Sequence, residues 1–206
     1  MRSPNVLVQA IVVADDLDHL DAIHAGARAS LLARAAHPDA PWADWLADER
    51  FTKTVRRATR AKVAALVDVG GVPSGPTVDA VAFAPMTYAE FPKPVARTQV
   101  QGTDFPRLAT AVIVADPLVR IDVLDTLTTG KATAQAAHAL WAALGDTGPT
   151  ADDLLFDVHT VNVATLTAAA AGPDTWAVHD AGLTEIAAGT LTAVAHRTPQ
   201  PAREGR

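Results

Sequence analysis

Ala10-Ile11-Val12-Val13-Ala14-Asp15-Asp16 and Ala111-Val112-Ile113-Val114-Ala115-Asp116-Pro117 are two short apolar runs, one in each half of the chain, and each closes on an aspartate. A β-rich apolar run of this length that meets acids reads as a buried strand. Each is followed by an alanine-rich segment with helical spacing. After the first run, residues 21–36 put Ile23, Ala27, Leu31 and Ala35 on one face, and His37-Pro38 stops the helix. After the second, residues 130–144 form the helix, with Thr128 or Thr129 as cap and Gly145 as terminator.

The pattern continues in parallel. In the first half, residues 41–49 are a tryptophan-bearing linker and 51–57 a strand. A short helix spans 60–67, Gly70-Gly71 and residues 73–76 make turns, and 78–84 alternate as a strand. In the second half, 155–161 read as a strand and 163–171 as a short helix. Strand 176–178, the turn at Asp180 to Gly182 and a last strand at 191–195 follow. The two final strands also echo: Gly75-Pro76-Thr77-Val78-Asp79-Ala80-Val81-Ala82 against Gly189-Thr190-Leu191-Thr192-Ala193-Val194-Ala195. Repetition of order as well as composition points to an internal duplication, with halves at 1–98 and 99–206 joined through the proline-bearing segment 91–107. The fold class is mixed α/β. Each half alone is small for a stable unit, so pairing would cover faces that neither covers alone.

Composition sets bounds on function. Apolar residues make up 49 % of the chain and charged residues 19 %, which excludes general disorder. Cysteine is absent, so no disulfide, thiolate nucleophile or cysteine-held metal is available. The apolar stretch 6–14 is too short to span a bilayer and no export-type cleavage site follows it, which leads us to expect a cytoplasmic protein. The formal net charge is −6, yet residues 50–62 hold Arg50, Lys53, Arg56, Arg57, Arg60 and Lys62 with no acid. Such a stripe is either a solvated face or a local polyanion site. A dinucleotide enzyme is excluded for want of Gly-x-Gly-x-x-Gly after a strand.

Two segments carry chemistry. In Thr129-Gly130-Lys131-Ala132-Thr133-Ala134-Gln135-Ala136-Ala137-His138, helical spacing puts Lys131, Gln135 and His138 on one face among small alanines. Lys131 falls in the first turn, where the helix dipole disfavours a cation; it serves an anionic ligand or is simply solvated. In His179-Asp180-Ala181-Gly182-Leu183-Thr184, Asp180 follows the apolar Trp176-Ala177-Val178, and Thr184 supplies a hydroxyl nearby. Asp180 is either a functional acid at a strand end or an Asx-turn bonding its own backbone.

Together, the Gly-Lys-x-x-x-Gln-x-x-His-Ala helix and the later Asp-Ala-Gly-x-Thr-x-Ile-x-x-Gly-Thr-x-Thr segment resemble the type 2 peptidyl-tRNA hydrolases, over about residues 111–199. The resemblance implies a mixed four-stranded sheet with helices on both faces, often a homodimer, so two tandem halves here would form a monomeric pseudo-dimer. It implies hydrolysis of the ester joining a peptide to the terminal ribose of tRNA, without cofactor or metal. Lys131, Asp180 and Thr184 then match the catalytic positions, and Gln135 and His138 the amide and imidazole that bind substrate. In this scheme Asp180 and Thr184 orient or activate water, and Lys131 offsets charge on the tetrahedral intermediate.

The sequence departs from that family in two places. No arginine precedes Asp116 at the end of the apolar run, and Leu183 stands where the family's turn has arginine. From Gln101 onward there are 6 basic and 12 acidic residues, an unfavourable balance for RNA. The first half has Ile23, Ala27 and Ser30 at the aligned helix positions and no Asp-Ala-Gly turn, so it is expected to be catalytically empty. Its Lys53, Arg56 and Arg57 are the expected tRNA-facing residues. A non-catalytic RNA-binding or scaffold protein is the alternative. Trp42, Trp45, Trp141 and Trp176 are expected as core or interface anchors. His19, His24, His37, His159 and His196 show no ligand spacing.

Overall fold

The computed structural model describes residues 6–48, 52–144, 154–182 and 186–198. Arg50, Gly145, Thr184 and the segment after Pro199 lie outside the described residues. The first half contains β1 (Gln9–Ala14), α1 (His19–Ala36), α2 (Trp42–Ala47), β2 (Lys53–Ala58), α3 (Arg60–Ala65), β3 (Val72–Pro73), β4 (Ala80–Ala82) and α4 (Lys93–Ala96). The second contains β5 (Ala111–Val112), β6 (Val119–Leu124), α5 (Thr129–Leu144), β7 (Phe156–Val161), α6 (Val163–Ala170), β8 (Thr175–His179) and β9 (Leu191–Arg197).

The architecture is mixed α/β with two mixed sheets, ordered β2-β1-β4-β3 and β5-β7-β6-β9-β8. β1 runs parallel to β2 and antiparallel to β4, and β3 pairs antiparallel with β4. β6, β7, β9 and β8 repeat this arrangement strand for strand, with β5 added at the edge beside β7.

This pairing corrects the expected alignment of the halves. The counterpart of β1 is not the run at 111–115. Only Ala111–Val112 of that run is a strand, and it is an edge strand. The central strand is β6, Val-Arg-Ile-Asp-Val-Leu, whose Arg120 and Asp122 break the apolar run that marks a buried strand. Aligning β6 with β1 sets Asp125 on Asp15, Leu127 on Leu17, and the start of α5 at Thr129 on the start of α1 at His19. The residues standing where Lys131, Gln135 and His138 do are then Asp21, Ala25 and Arg28, not Ile23, Ala27 and Ser30. The strand leading into α5 ends in Leu124-Asp125, so the missing arginine is to be sought there, and none is present. Three smaller corrections follow. Trp42 and Trp45 sit in α2 rather than a linker, Pro73 belongs to an edge strand, and the segment joining the halves includes α4.

Alternation on β1 explains the layers. Ile11 and Val13 face inward onto α1, while Val8, Ala10, Val12 and Ala14 face outward against Val63, Leu66, Phe83 and Val95. α1 lies on the inner face of the first sheet and α5 on that of the second, and the two helices pack on each other. The core is therefore sheet, helix, helix, sheet. Small residues make this possible: a Cβ on Gly26 of α1 would lie 2.4 Å from Thr133 Cγ2 of α5. A buried polar chain crosses the same contact. Ser30 Oγ donates to Gln9 Oε1 (2.6 Å), Gln9 Nε2 donates to the Ser30 carbonyl (2.9 Å), and Trp141 Nε1 donates to Ser30 Oγ (3.0 Å). Trp141 stacks on Trp42 at 5.3 Å and meets Trp45 edge-on at 5.4 Å, joining the halves through one aromatic cluster. Trp176 is half-buried, with the Arg197 guanidinium 5.5 Å from its ring centroid. Among the described residues, no helix is long and apolar enough to cross a membrane.

Two predictions follow from this core. Gly26→Ala should lower unfolding stability by roughly 1–3 kcal/mol in urea titrations, because the added methyl overlaps Thr133. Thr133→Ser in the same background, which removes that methyl, should recover much of the loss. The second concerns His19 and His24, whose imidazoles burial pushes down to about 4, helped by Arg107 and Arg28 respectively. The unfolded chain takes up these protons near the ordinary histidine value, the folded chain only near 4. Stability therefore falls as pH drops from about 6.5 toward 4, and the unfolding free energy from urea titrations should fall by about 2 kcal/mol per histidine between pH 7 and pH 4.5. His24→Gln should flatten that slope.

Candidate functional site

β2 is an edge strand, and the start of α5 and the end of β8 come up beside it. Between them lies a cleft of about 710 Å³. Lys131, Gln135, His138 and Asp180 line it from the second half, and Lys53 and Arg56 from the first. The sequence-derived site residues on α5 and at Asp180 thus meet in one place, together with two members of the basic stripe.

The start of α5 is anchored by the segment joining the halves. Thr129 N donates to Asp104 Oδ1 (3.3 Å) and Gly130 N to the Thr103 carbonyl (2.8 Å), which satisfies two of the free amides of the first turn. Thr129 Oγ1 accepts from Phe105 N at 2.8 Å and lies 2.9 Å from His19 Nδ1 of α1. Thr129 is therefore the first residue of α5 rather than its cap, and its hydroxyl ties the helix start to Phe105 and α1. Thr103, Asp104, Tyr88 and His179 also line the cleft. Only His179, adjacent to Asp180, had a local signal; the other three come from segments with no period, and only the tertiary fold brings them here.

Asp180 is held from both sides. Its amide donates to the Thr190 carbonyl and its carbonyl accepts from Gly189 N, both at 2.8 Å. Gly182 N donates to Asp180 Oδ1 at 2.6 Å, an Asx-turn. Gly182 has φ +73°, and a Cβ there would lie 2.7 Å from Ala188 Cβ, so glycine alone fits the turn. The other carboxylate oxygen pairs with the Lys131 ammonium and accepts from Gln135 Nε2 at 2.9 Å. Both readings of Asp180, turn former and charged partner, are thus realised at once. Its side chain is 1 % exposed and that of Lys131 14 %. A carboxylate that takes three donors and is closed to solvent fixes the ammonium at the cleft wall.

The basic stripe does not form one surface. The ammonium of Lys53 lies 4.5 Å from the Trp45 ring centroid, and burial pushes it well below the ordinary lysine range. Arg56 donates to Thr98 Oγ1 (2.7 Å) and to the Thr98 and Ala96 carbonyls (2.6 and 3.2 Å). Arg57 is absent from the cleft lining, and its Nε donates to the Gln101 carbonyl at 3.2 Å. Arg60 is tied to Asp16 and Asp79, whose hydrogen bonds raise its proton affinity, and Lys62 is exposed on α3. The stripe is divided because consecutive residues of β2 point to opposite faces and the chain then turns into a helix.

The matching region of the first half carries different contacts. Arg28 donates to the carbonyls of Ser74 (2.8 Å) and Leu154 (2.5 Å), and the His24 ring stacks on Phe156 at 4.5 Å. Among the described residues, no group of three or more His, Asp or Glu side chains could hold a metal ion. The chain matches no family model, no curated protein and no solved structure.

Breaking the Lys131–Asp180 pair from one side leaves a charge stranded in the cleft wall. Lys131→Met should therefore cost roughly 3 kcal/mol of unfolding stability. The double variant Lys131→Met/Asp180→Asn should cost less than the sum of the two single changes in a urea double-mutant cycle.

Proposed function

We propose that this chain hydrolyses the ester joining a peptide to the terminal ribose of tRNA, as the resemblance to type 2 peptidyl-tRNA hydrolases implies. The single observation carrying the reading is the cleft that gathers Lys131, Gln135, His138 and Asp180. Water attacks the ester carbonyl carbon, and the bond from that carbon to the ribose oxygen breaks. The ribose oxygen takes a proton and leaves as free tRNA, and the peptide leaves as its carboxylate. Lys131, paired with Asp180, whose carboxylate Gln135 also holds, faces the negative charge that develops on the carbonyl oxygen. As the resemblance implies, Thr184, two residues past the Asp-Ala-Gly turn and outside the described residues, supplies the hydroxyl that orients the water, and His138 lines the substrate path.

The repeated strand order supports two tandem halves of one ancestral unit, joined as a pseudo-dimer. In this arrangement the first half is a scaffold that lends Arg56 to the far wall of the cleft, facing the tRNA backbone, while Lys53, its ammonium buried against Trp45, has a weaker claim to that role. Arg57, bonded away from the cleft, also has a weaker claim. A non-catalytic RNA-binding or scaffold protein is the second reading. It is favoured by the pairing of Lys131 with Asp180, which neutralises the one cation at the start of α5.

Release of labelled peptide from peptidyl-tRNA tests the choice. Wild type should turn over, and Lys131→Ala and Asp180→Ala should each lose about 10²–10³-fold in kcat/KM. A folded wild type, by circular dichroism, that releases no peptide would sink the hydrolase reading and leave the scaffold.

A further inference from the structure

Gln135 sits one helical turn beyond Lys131 on the same face of α5 and is 4 % exposed. The two ends of its amide are distinguishable without ambiguity. Asp180 Oδ2 already pairs with Lys131 and only accepts, so the group facing it at 2.9 Å is the amide nitrogen. The other end, Oε1, is closed off from solvent and has no hydrogen-bond partner among the described residues. A buried acceptor left unpaired is costly, and folded proteins keep few of them. Here the orphaned oxygen belongs to a residue of the cleft wall, next to the ammonium assigned to the ester carbonyl. It calls for a ligand that donates a hydrogen bond within a helical turn of that carbonyl.

Resting on the hydrolase reading, we infer that Gln135 Oε1 accepts from the 2′-hydroxyl of the ribose that carries the ester, so that the cleft selects esters of a vicinal diol. The 2′-hydroxyl is on the carbon adjacent to the esterified one. Lys131 and Gln135, at i and i+4, have side chains that start about 5–6 Å apart, a spacing that lets one residue meet the carbonyl and the other the neighbouring hydroxyl. The peptide N–H beside the carbonyl is the competing donor. It is lost when the residue is proline, whereas the 2′-hydroxyl is common to every such ester. Asp180 takes part by fixing the amide: with its nitrogen held, Gln135 can present only an acceptor, which rejects a ligand lacking a donor.

The test compares kcat/KM of the full chain on two peptidyl-tRNAs, one ending in adenosine and one in 2′-deoxyadenosine. Each rate is divided by that of hydroxide-catalysed hydrolysis of the same ester, which removes the intrinsic effect of the neighbouring hydroxyl. Wild type is expected to prefer the ribose ester about ten- to hundred-fold after this correction. Gln135→Met, close in shape but without an acceptor amide, is expected to reduce the preference to less than about threefold. Gln135→Asn, which retracts the oxygen by one methylene, serves the same comparison should the methionine variant not fold. Equal corrected rates for wild type would overturn the inference and leave the hydrolase reading intact. A preference that survives in the folded Gln135 variants would remove Gln135 from it. Cleavage of neither ester would overturn the hydrolase reading and the inference with it.

Discussion

The close packing of α1 on α5 is the constraint on which the rest depends. Gly26 and Thr133 bring the two backbones near enough for one apolar layer to serve both sheets. Alanine makes up much of both helices, so their individual side chains bury little; the gain comes from proximity and from contacts summed over the whole crossing. The large side chains are concentrated at one end, where Trp42, Trp45 and Trp141 meet. The Gln9–Ser30–Trp141 hydrogen bonds lie in the same region and satisfy the polar groups that this packing buries. With the helices fixed back to back, the edge strand β2 of the first sheet is brought beside the start of α5 in the second half.

That placement makes the cleft a product of both halves. One wall is α5 and the turn at Asp180, and the other is β2 with the segment that joins the halves. The same segment binds the first-turn amides of α5 through Thr103 and Asp104. It is therefore a structural part of the site and more than a tether. The opposite region has the same strand order around it but different contacts: Arg28 bonds the Ser74 and Leu154 carbonyls and the His24 ring stacks on Phe156. Two topologically similar halves thus present very different surfaces, and the difference lies in a few helix positions: Asp21, Ala25 and Arg28 against Lys131, Gln135 and His138.

The electrostatics of the cleft are local. Asp180 neutralises Lys131 while fixing its position, Asp16 and Asp79 occupy Arg60, and backbone carbonyls occupy Arg56 and Arg57. Most of the stripe that stands out as basic in the sequence is thus engaged within the fold. A count of charges over thirteen residues could not reveal this, because the partners come from the turn after β1, the turn before β4, the end of α4 and the segment after it.

The mixed α/β class, the long helices α1 and α5 and the face shared by Lys131, Gln135 and His138 were legible in the sequence, because they follow from local periodicity and from helical spacing, whereas β6, α2 and β3 were not. The meeting of that face with Asp180 was an expectation from resemblance alone. What misled was local as well: the run Ala111-Val112-Ile113-Val114-Ala115 is more continuously apolar than β6, yet β6 is the central strand. A strand position depends on what it pairs with, and Arg120 and Asp122 are tolerated in β6 because Asp122 accepts from Arg120 and lies 3.1 Å from His196. Pairing, the division of the basic stripe, the orphaned Gln135 oxygen and the contribution of β2 to the cleft were decided only by tertiary structure. Each depends on contacts between residues far apart in the chain, for which local sequence carries no signal.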